Sequence, residues 1–207
     1  MINLMIIIDL SQYLFEQEVI IMAEPTNLRP ETCALLVVDI QERLMSVINN
    51  REAVTGNVAL LLKAAAVMKF PVLATTQYAA GIGALLPAVK AELGDLRPLD
   101  KMEFDCFANQ AIRARVKALP REINTLIICG VETHICIYQT VLGALREGYR
   151  VWVPADAVSS RTALNYQTGL GRIKELGAMV GNTEMIIYEL LHRAGTPEFK
   201  ALLPYLK

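Results

Sequence analysis

The sequence predicts an α/β fold, a three-layer sandwich in which helices cover both faces of a mostly parallel, Rossmann-like sheet. Three observations point to it. From Cys33 onward, short β-branched runs alternate with longer segments of helical period, the signature of successive βαβ units. The runs are too continuously apolar to keep one face wet, as expected of strands covered on both sides. No internal repeat, low-complexity tract or linker divides the 207 residues, 54% of them hydrophobic, so one core is expected to serve them all.

Taken in chain order, residues 1–24 are expected to be an N-terminal extension outside the core, and residues 25–207 a single domain. The opening run Met1-Ile-Asn-Leu-Met-Ile-Ile-Ile lacks the positive flank and small-residue cleavage site of a secretory signal, and Asp9, Glu16 and Glu18 place charge within and just after it. Strands are expected at Ala34 to Asp39, Pro71 to Thr75, Thr125 to Cys129 and Arg150 to Val153, with shorter ones near Leu96 to Pro98 and Ala178 to Val180. Between them, Val58, Leu61, Leu62 and Ala65 form one helical stripe. Ile112, Val116 and Leu119 form a second, and Ala163, Tyr166, Leu170 and Ile173 a third. Thr196-Pro197 supplies an N-cap and first-turn proline for a short terminal helix.

Composition narrows the function. A formal net charge of −1, with charges of both signs interspersed, leaves no basic face for phosphates, so a nucleic-acid partner is not expected. Apolar runs are broken by charge before the ~20 residues that a spanning helix needs, so no membrane partner is expected either. Four cysteines without a C-x-x-C pair fit a reducing, cytoplasmic setting.

The sharpest constellation is Gly130-Val131-Glu132-Thr133-His134-Ile135-Cys136, which comes after an apolar strand and opens a helix carrying Tyr138, Val141, Leu142 and Leu145. Thr133 is a good N-cap, which places Cys136 in the first turn. There, free backbone N–H groups and the helix dipole favour a thiolate and could hold an oxyanion. For a cysteine taken at random, packing as a small hydrophobe is the better reading, and it is the one expected for Cys33, Cys129 and Cys106. Cys106 is kept as a second candidate by its closeness to Lys101. His134 is a poor base for Cys136, because residues two apart on a helix diverge, and His192 is expected at the surface near a helix end. Asp39 is the better base: a carboxylate ending an apolar strand costs energy unless it has partners, and strand carboxyl ends are where ligands bind in such sheets. Capping the helix after β1 is its alternative role.

Taken together, Leu35-Leu36-Val37-Val38-Asp39-Ile40-Gln41, Lys101-Met102-Glu103-Phe104-Asp105-Cys106-Phe107, the Gly130 to Cys136 segment and Ala155-Asp156-Ala157-Val158-Ser159-Ser160-Arg161 resemble the isochorismatase-like cysteine hydrolases. Thr75-Thr76-Gln77-Tyr78 and Glu189-Leu190-Leu191 look most like the isochorismatase domain-containing subgroup. The resemblance implies a six-stranded parallel sheet and a triad of Asp39 as general base, Lys101 as electrostatic partner and Cys136 as nucleophile. It also implies a cis peptide before Glu132, and an oxyanion hole from the backbone N–H groups of Glu132 and Cys136. Its implied reaction is hydrolysis of a small amide or carbamoyl compound through a thioester, in a homo-oligomer. Gln77, Tyr78, Phe104, Phe107 and His134 are expected to shape the substrate pocket. Gln77-Tyr78 stand where metal-binding nicotinamidases carry an Asp and histidines, so neither a metal nor another cofactor is expected. Relatives that cleave isochorismate's vinyl ether lack the cysteine, so that reaction is not expected. Two other readings stay open: a non-catalytic binding or scaffold protein of the same fold, and a dinucleotide-binding domain. For the latter, Gly81-x-Gly83 and Gly169-x-Gly171 lack the third glycine and the acidic residue that complete the fingerprint.

Overall fold

A computed structural model of the protein describes residues 27–206, and the expected extension at residues 1–24 lies outside them. The centre of the sheet is β1 (Cys33–Val38), flanked by β2 (Val72–Gln77) and β4 (Thr125–Val131). The edges are β3 (Leu99–Lys101) beyond β2, and β5 (Arg150–Pro154) then β7 (Met179–Gly181) beyond β4. All these pairings are parallel, in the order β3-β2-β1-β4-β5-β7, and a two-residue strand, β6 (Val158–Ser159), adds to β4 off this path. The sheet therefore has seven strands rather than the six expected. The short strand expected at Leu96 to Pro98 forms three residues later, at Leu99–Lys101, where polar Asp100 and Lys101 pair with Thr76 and Gln77. Neighbour pairing, not side-chain polarity, places a short edge strand.

Alternation along β1 sorts the two faces. Leu35 and Val37 pack with α2 (Arg51–Met68), α4 (Pro87–Leu93), α8 (Thr183–Leu191) and α9 (Pro197–Leu202). Ala34, Leu36 and Val38 pack with α5 (Gln110–Lys117), α6 (Tyr138–Arg146) and α7 (Ala163–Glu175). Two short helices, α1 (Glu42–Met45) and α3 (Ala79–Ile82), lie just past the carboxyl ends of β1 and β2. The helical stripes read from the sequence face the sheet: Val58, Leu61, Leu62 and Ala65 are buried in α2, and Ile112 and Val116 in α5, while Leu119 lies beyond the end of α5. Thr196 caps α9 by accepting from Phe199 N. Among the described residues, no helix is long and apolar enough to cross a membrane.

The strand order fixes where a site can form. From β1 the chain steps outward through β2 to β3, then returns to the other side of β1 as β4. The carboxyl ends of β1 and β4 thus bound the switch point, where the loops of an open α/β sheet diverge and leave a crevice. β1 ends at Asp39 and β4 at the Val131–Glu132 peptide, which is cis. Gly130 lets the two strands meet there. Its φ of +121° suits glycine, and a Cβ would lie 2.0 Å from the Val38 carbonyl oxygen.

Candidate active site

Asp39 leaves β1 in the left-handed region at φ 56°, which aspartate tolerates better than most residues. Its carboxylate is fully buried, and both oxygens are engaged. Thr75 Oγ1 donates to Oδ1 at 2.8 Å, and Lys101 Nζ donates to Oδ2 at 2.7 Å. These partners are why a buried carboxylate is tolerated, and they displace the helix-capping alternative: no side chain caps α1. Lys101 comes from β3, two strands away, and is 2% exposed. Its ammonium also donates to Gln77 Oε1 at 2.6 Å. Burial pulls that ammonium's pKa down, but the Asp39 carboxylate, with the nearby Cys106 and Cys136 thiols, outweighs burial and leaves it raised.

Cys136 reaches the pair from the far side of β1. It sits in a π-helical turn, Thr133–Ile137, that precedes α6. Ile137 N donates to Glu132 O, and α7 packs closely on the turn: a Cβ on Gly169 would lie 2.9 Å from the His134 backbone. Widened turns of this kind recur at functional sites. The Cys136 thiol faces the Asp39 carboxylate as a hydrogen-bond donor. At 7% exposure it is the only cysteine of the four with a measurable opening to solvent, since Cys33, Cys106 and Cys129 are at 0%.

The local electrostatics correct two expectations. Thr133 does not cap the turn: Glu132 occupies the cap position with no side-chain bond, and Thr133 Oγ1 is buried without a partner. Cys136 does not rest as a thiolate either. Burial pushes its thiol up to about 12, the Asp39 charge adds to the rise, and Lys101 offsets only part of it. A helix terminus depresses a thiol's pKa where the thiol is also solvated or paired with a cation, and here desolvation beside a carboxylate wins. The resting arrangement is a thiol with a base already on its proton.

Residues expected to shape the pocket separate into different roles. Gln77 is buried and holds Lys101, while its Nε2 donates to Met102 O at 2.8 Å. Phe107 is 6% exposed and packs against Tyr149 in the core, so it is not free to line a pocket. Tyr78 is half exposed and lays its ring against Gly81, and Phe104 is 51% exposed just past β3. His134 Nδ1 pairs with Ser160 Oγ at 2.9 Å rather than with the thiol. Glu132 accepts from the backbone N and Nε of Arg161, which ties the cis-peptide turn to the segment after β6. Thr75, Gln41 and Ser160 belong to the site but were not singled out from the sequence. The only signal for Gln41 was its place two residues after Asp39. Cys106 is fully buried, and burial pushes its thiol up to about 12, so it remains packing. Among the described residues, no group of three or more His, Cys, Asp or Glu is placed to hold a metal ion.

The isochorismatase domain profile matches residues 33–185. The secreted isochorismatase effector Isc1 of Phytophthora sojae (strain P6497) is 33% identical over 184 residues, covering 87% of this chain and 87% of the relative. Isochorismatase domain-containing protein 2B of Mus musculus is 32% identical over 178 residues, covering 86% and 82%. Among solved structures, the MAR1 ribonuclease of Caenorhabditis elegans superposes with a TM-score of 0.81 at 27% identity, covering 87% of this chain and 92% of that one. The YcaC gene product of Escherichia coli, described as an octameric hydrolase of unknown specificity, gives 0.81 at 25% identity, covering 87% and 91%. With a profile match that spans both Asp39 and Cys136, relatives of nearly equal length and a shared fold, this chain belongs to the isochorismatase family.

Proposed function

We propose that the protein is a cysteine-dependent hydrolase of small amide or carbamoyl compounds. The observation that carries this reading is a buried carboxylate bonded on one side to a buried ammonium and on the other to the most exposed cysteine. In the first step Asp39 removes the Cys136 proton as sulfur adds to the substrate carbonyl carbon, so the raised thiol pKa is no obstacle: proton and nucleophile move together. The oxyanion is held by the backbone N–H groups of Glu132 and Cys136. As the tetrahedral centre collapses, the C–N bond breaks and the amine leaves with the proton held between Asp39 and Lys101. Water, deprotonated by Asp39, then cleaves the thioester and restores the thiol. Lys101 keeps positive charge beside two groups that carry negative charge in turn.

The competing reading is a scaffold that keeps the fold without turnover. Ammonia release from a panel of small amides, measured for wild type and Cys136→Ala, separates the two. Loss of release in the variant supports the enzyme, and absence of release from wild type across the panel sinks it. The ribonuclease name of the C. elegans relative finds little support here, since a net charge of −1 offers few cations for a phosphate backbone. Homo-oligomerisation is proposed by analogy with the octameric YcaC relative. A cytoplasmic setting is proposed from four unpaired cysteines, although the Phytophthora relative is described as secreted.

A further inference from the structure

We propose that Gln77 is the positioning residue of this site: a neutral acceptor, locked by Gln41, that aims the Lys101 ammonium at the Asp39–Cys136 pair. The inference rests on the cysteine chemistry proposed above. An ammonium has three N–H donors on a flexible four-carbon stem, and a catalytic lysine must be held without losing all three. Asp39 takes one and Gln77 Oε1 the second, at 2.7 and 2.6 Å, which leaves the third for the sulfur or the departing amine. The Gln77 amide has only one workable orientation. Its Nε2 donates to Met102 O, and the reverse orientation would set amide hydrogens against the ammonium.

What holds Gln77 is equally specific. β1 pairs with β2 only as far as Val38 opposite Thr75, because Asp39 turns out of the strand. Past that point Gln77 has lost its neighbour on the β1 side. The primary amide of Gln41 takes the place of the missing strand: Oε1 accepts from Gln77 N at 2.7 Å, and Nε2 donates to Gln77 O at 3.1 Å. The same Nε2 donates to Gly83 O at 2.7 Å, which ties in the loop after β2. Gln41 is fully buried. A segment that bends Asp39 into the site therefore also supplies, two residues later, the group that repairs the sheet edge and fixes Gln77.

Neutrality at position 77 matters. A carboxylate there would share the ammonium with Asp39 and add negative charge beside the sulfur. An apolar side chain would leave a buried N–H without an acceptor and the lysine without its aim.

The experiment is the rate of iodoacetamide labelling at Cys136, read by peptide mass spectrometry from pH 7 to 10. Wild type, Gln77→Glu, Gln77→Met and Gln41→Leu are compared, with melting temperature measured in parallel. Both Gln77 variants are expected to label at least fivefold more slowly at pH 8, with the rate–pH line of Gln77→Glu displaced to higher pH. Gln41→Leu should move in the same direction by less. Should Gln77→Glu not fold, Gln77→Met gives the same reading. Wild-type rate–pH lines in the variants, whatever their melting temperatures, would overturn the positioning role alone. Failure of wild-type Cys136 to label ahead of the other cysteines would overturn the site chemistry, and this inference with it.

Discussion

Strands β1, β2 and β4 pass through two environments within a few residues. In mid-strand, Leu35 to Val38, Leu73, Ala74 and Leu126 to Cys129 present only hydrocarbon and sulfur to both helical layers. At the carboxyl ends, Asp39, Gln41, Thr75, Gln77, Lys101 and Thr133 are buried as fully as the core. Equal burial hides opposite physics. Mid-strand stability comes from area removed from water and survives any rearrangement that keeps the volume filled. At the ends, each polar group depends on a specific partner, and losing one strands another in a low-dielectric interior.

The largest effect should separate chemistry from folding. Cys136→Ala is expected to lower amide hydrolysis by ~10³-fold or more while leaving the melting temperature near wild type, as read by ammonia release and calorimetry. A variant retaining a tenth of wild-type activity would remove the nucleophile from the account. Next, Lys101→Met should destabilise by about 3–5 kcal/mol in urea unfolding, because it leaves Asp39 buried without its cation. The double variant Asp39→Asn with Lys101→Met should recover much of that loss while staying inactive. If the double variant is the less stable of the two, the cost does not lie in the orphaned carboxylate.

Mid-strand, Leu36→Ala should cost about 2–5 kcal/mol through the lost methylenes and the cavity they leave. It should barely alter the iodoacetamide rate at Cys136, and a large change there would mean that the two regions are not independent. The smallest effect is alkaline. Cys106, Cys129 and Cys136 keep their protons to higher pH when folded, since burial raises all three thiols, two of them to about 12. An unfolded chain releases those protons earlier, so this stability is intact at neutral pH and drains away as pH climbs from about 9 toward the folded values, by roughly 1 kcal/mol per pH unit per thiol. Cys106→Ala should flatten the fall of melting temperature between pH 9 and 10. An unchanged slope would show that other groups cause it.

The mid-strand region was almost wholly legible in the sequence, and the carboxyl edge only in part. Val58, Leu61, Leu62 and Ala65 announce their helix face because helical period is a local property, visible without a partner. Asp39 was legible as a charge out of place at the end of an apolar run. Lys101 was not: nothing in its neighbourhood sets it apart, and only likeness to a family singled it out. Gln77 and Phe107 were both assigned to the substrate pocket, yet one holds the lysine and the other fills the core. Which way a strand-end side chain points depends on where the neighbouring strand stops. Thr133 reads as a cap in any linear scan, but the π turn begins one residue earlier and leaves its hydroxyl without a partner. The two-residue β6 escaped notice because so short a strand exists only through its pairing with β4.

By itself, then, the order of residues determined the layered α/β architecture, the faces of its helices and the segments that could carry chemistry, since hydrophobic period and turn signals act over a few neighbouring residues. Only the tertiary structure decided that a lysine 62 positions from Asp39 lies 2.7 Å from it, and that Cys136 rests as a thiol rather than an anion. Strand order and desolvation cause both outcomes, and they depend on distance through space and on how much water the packed layers exclude.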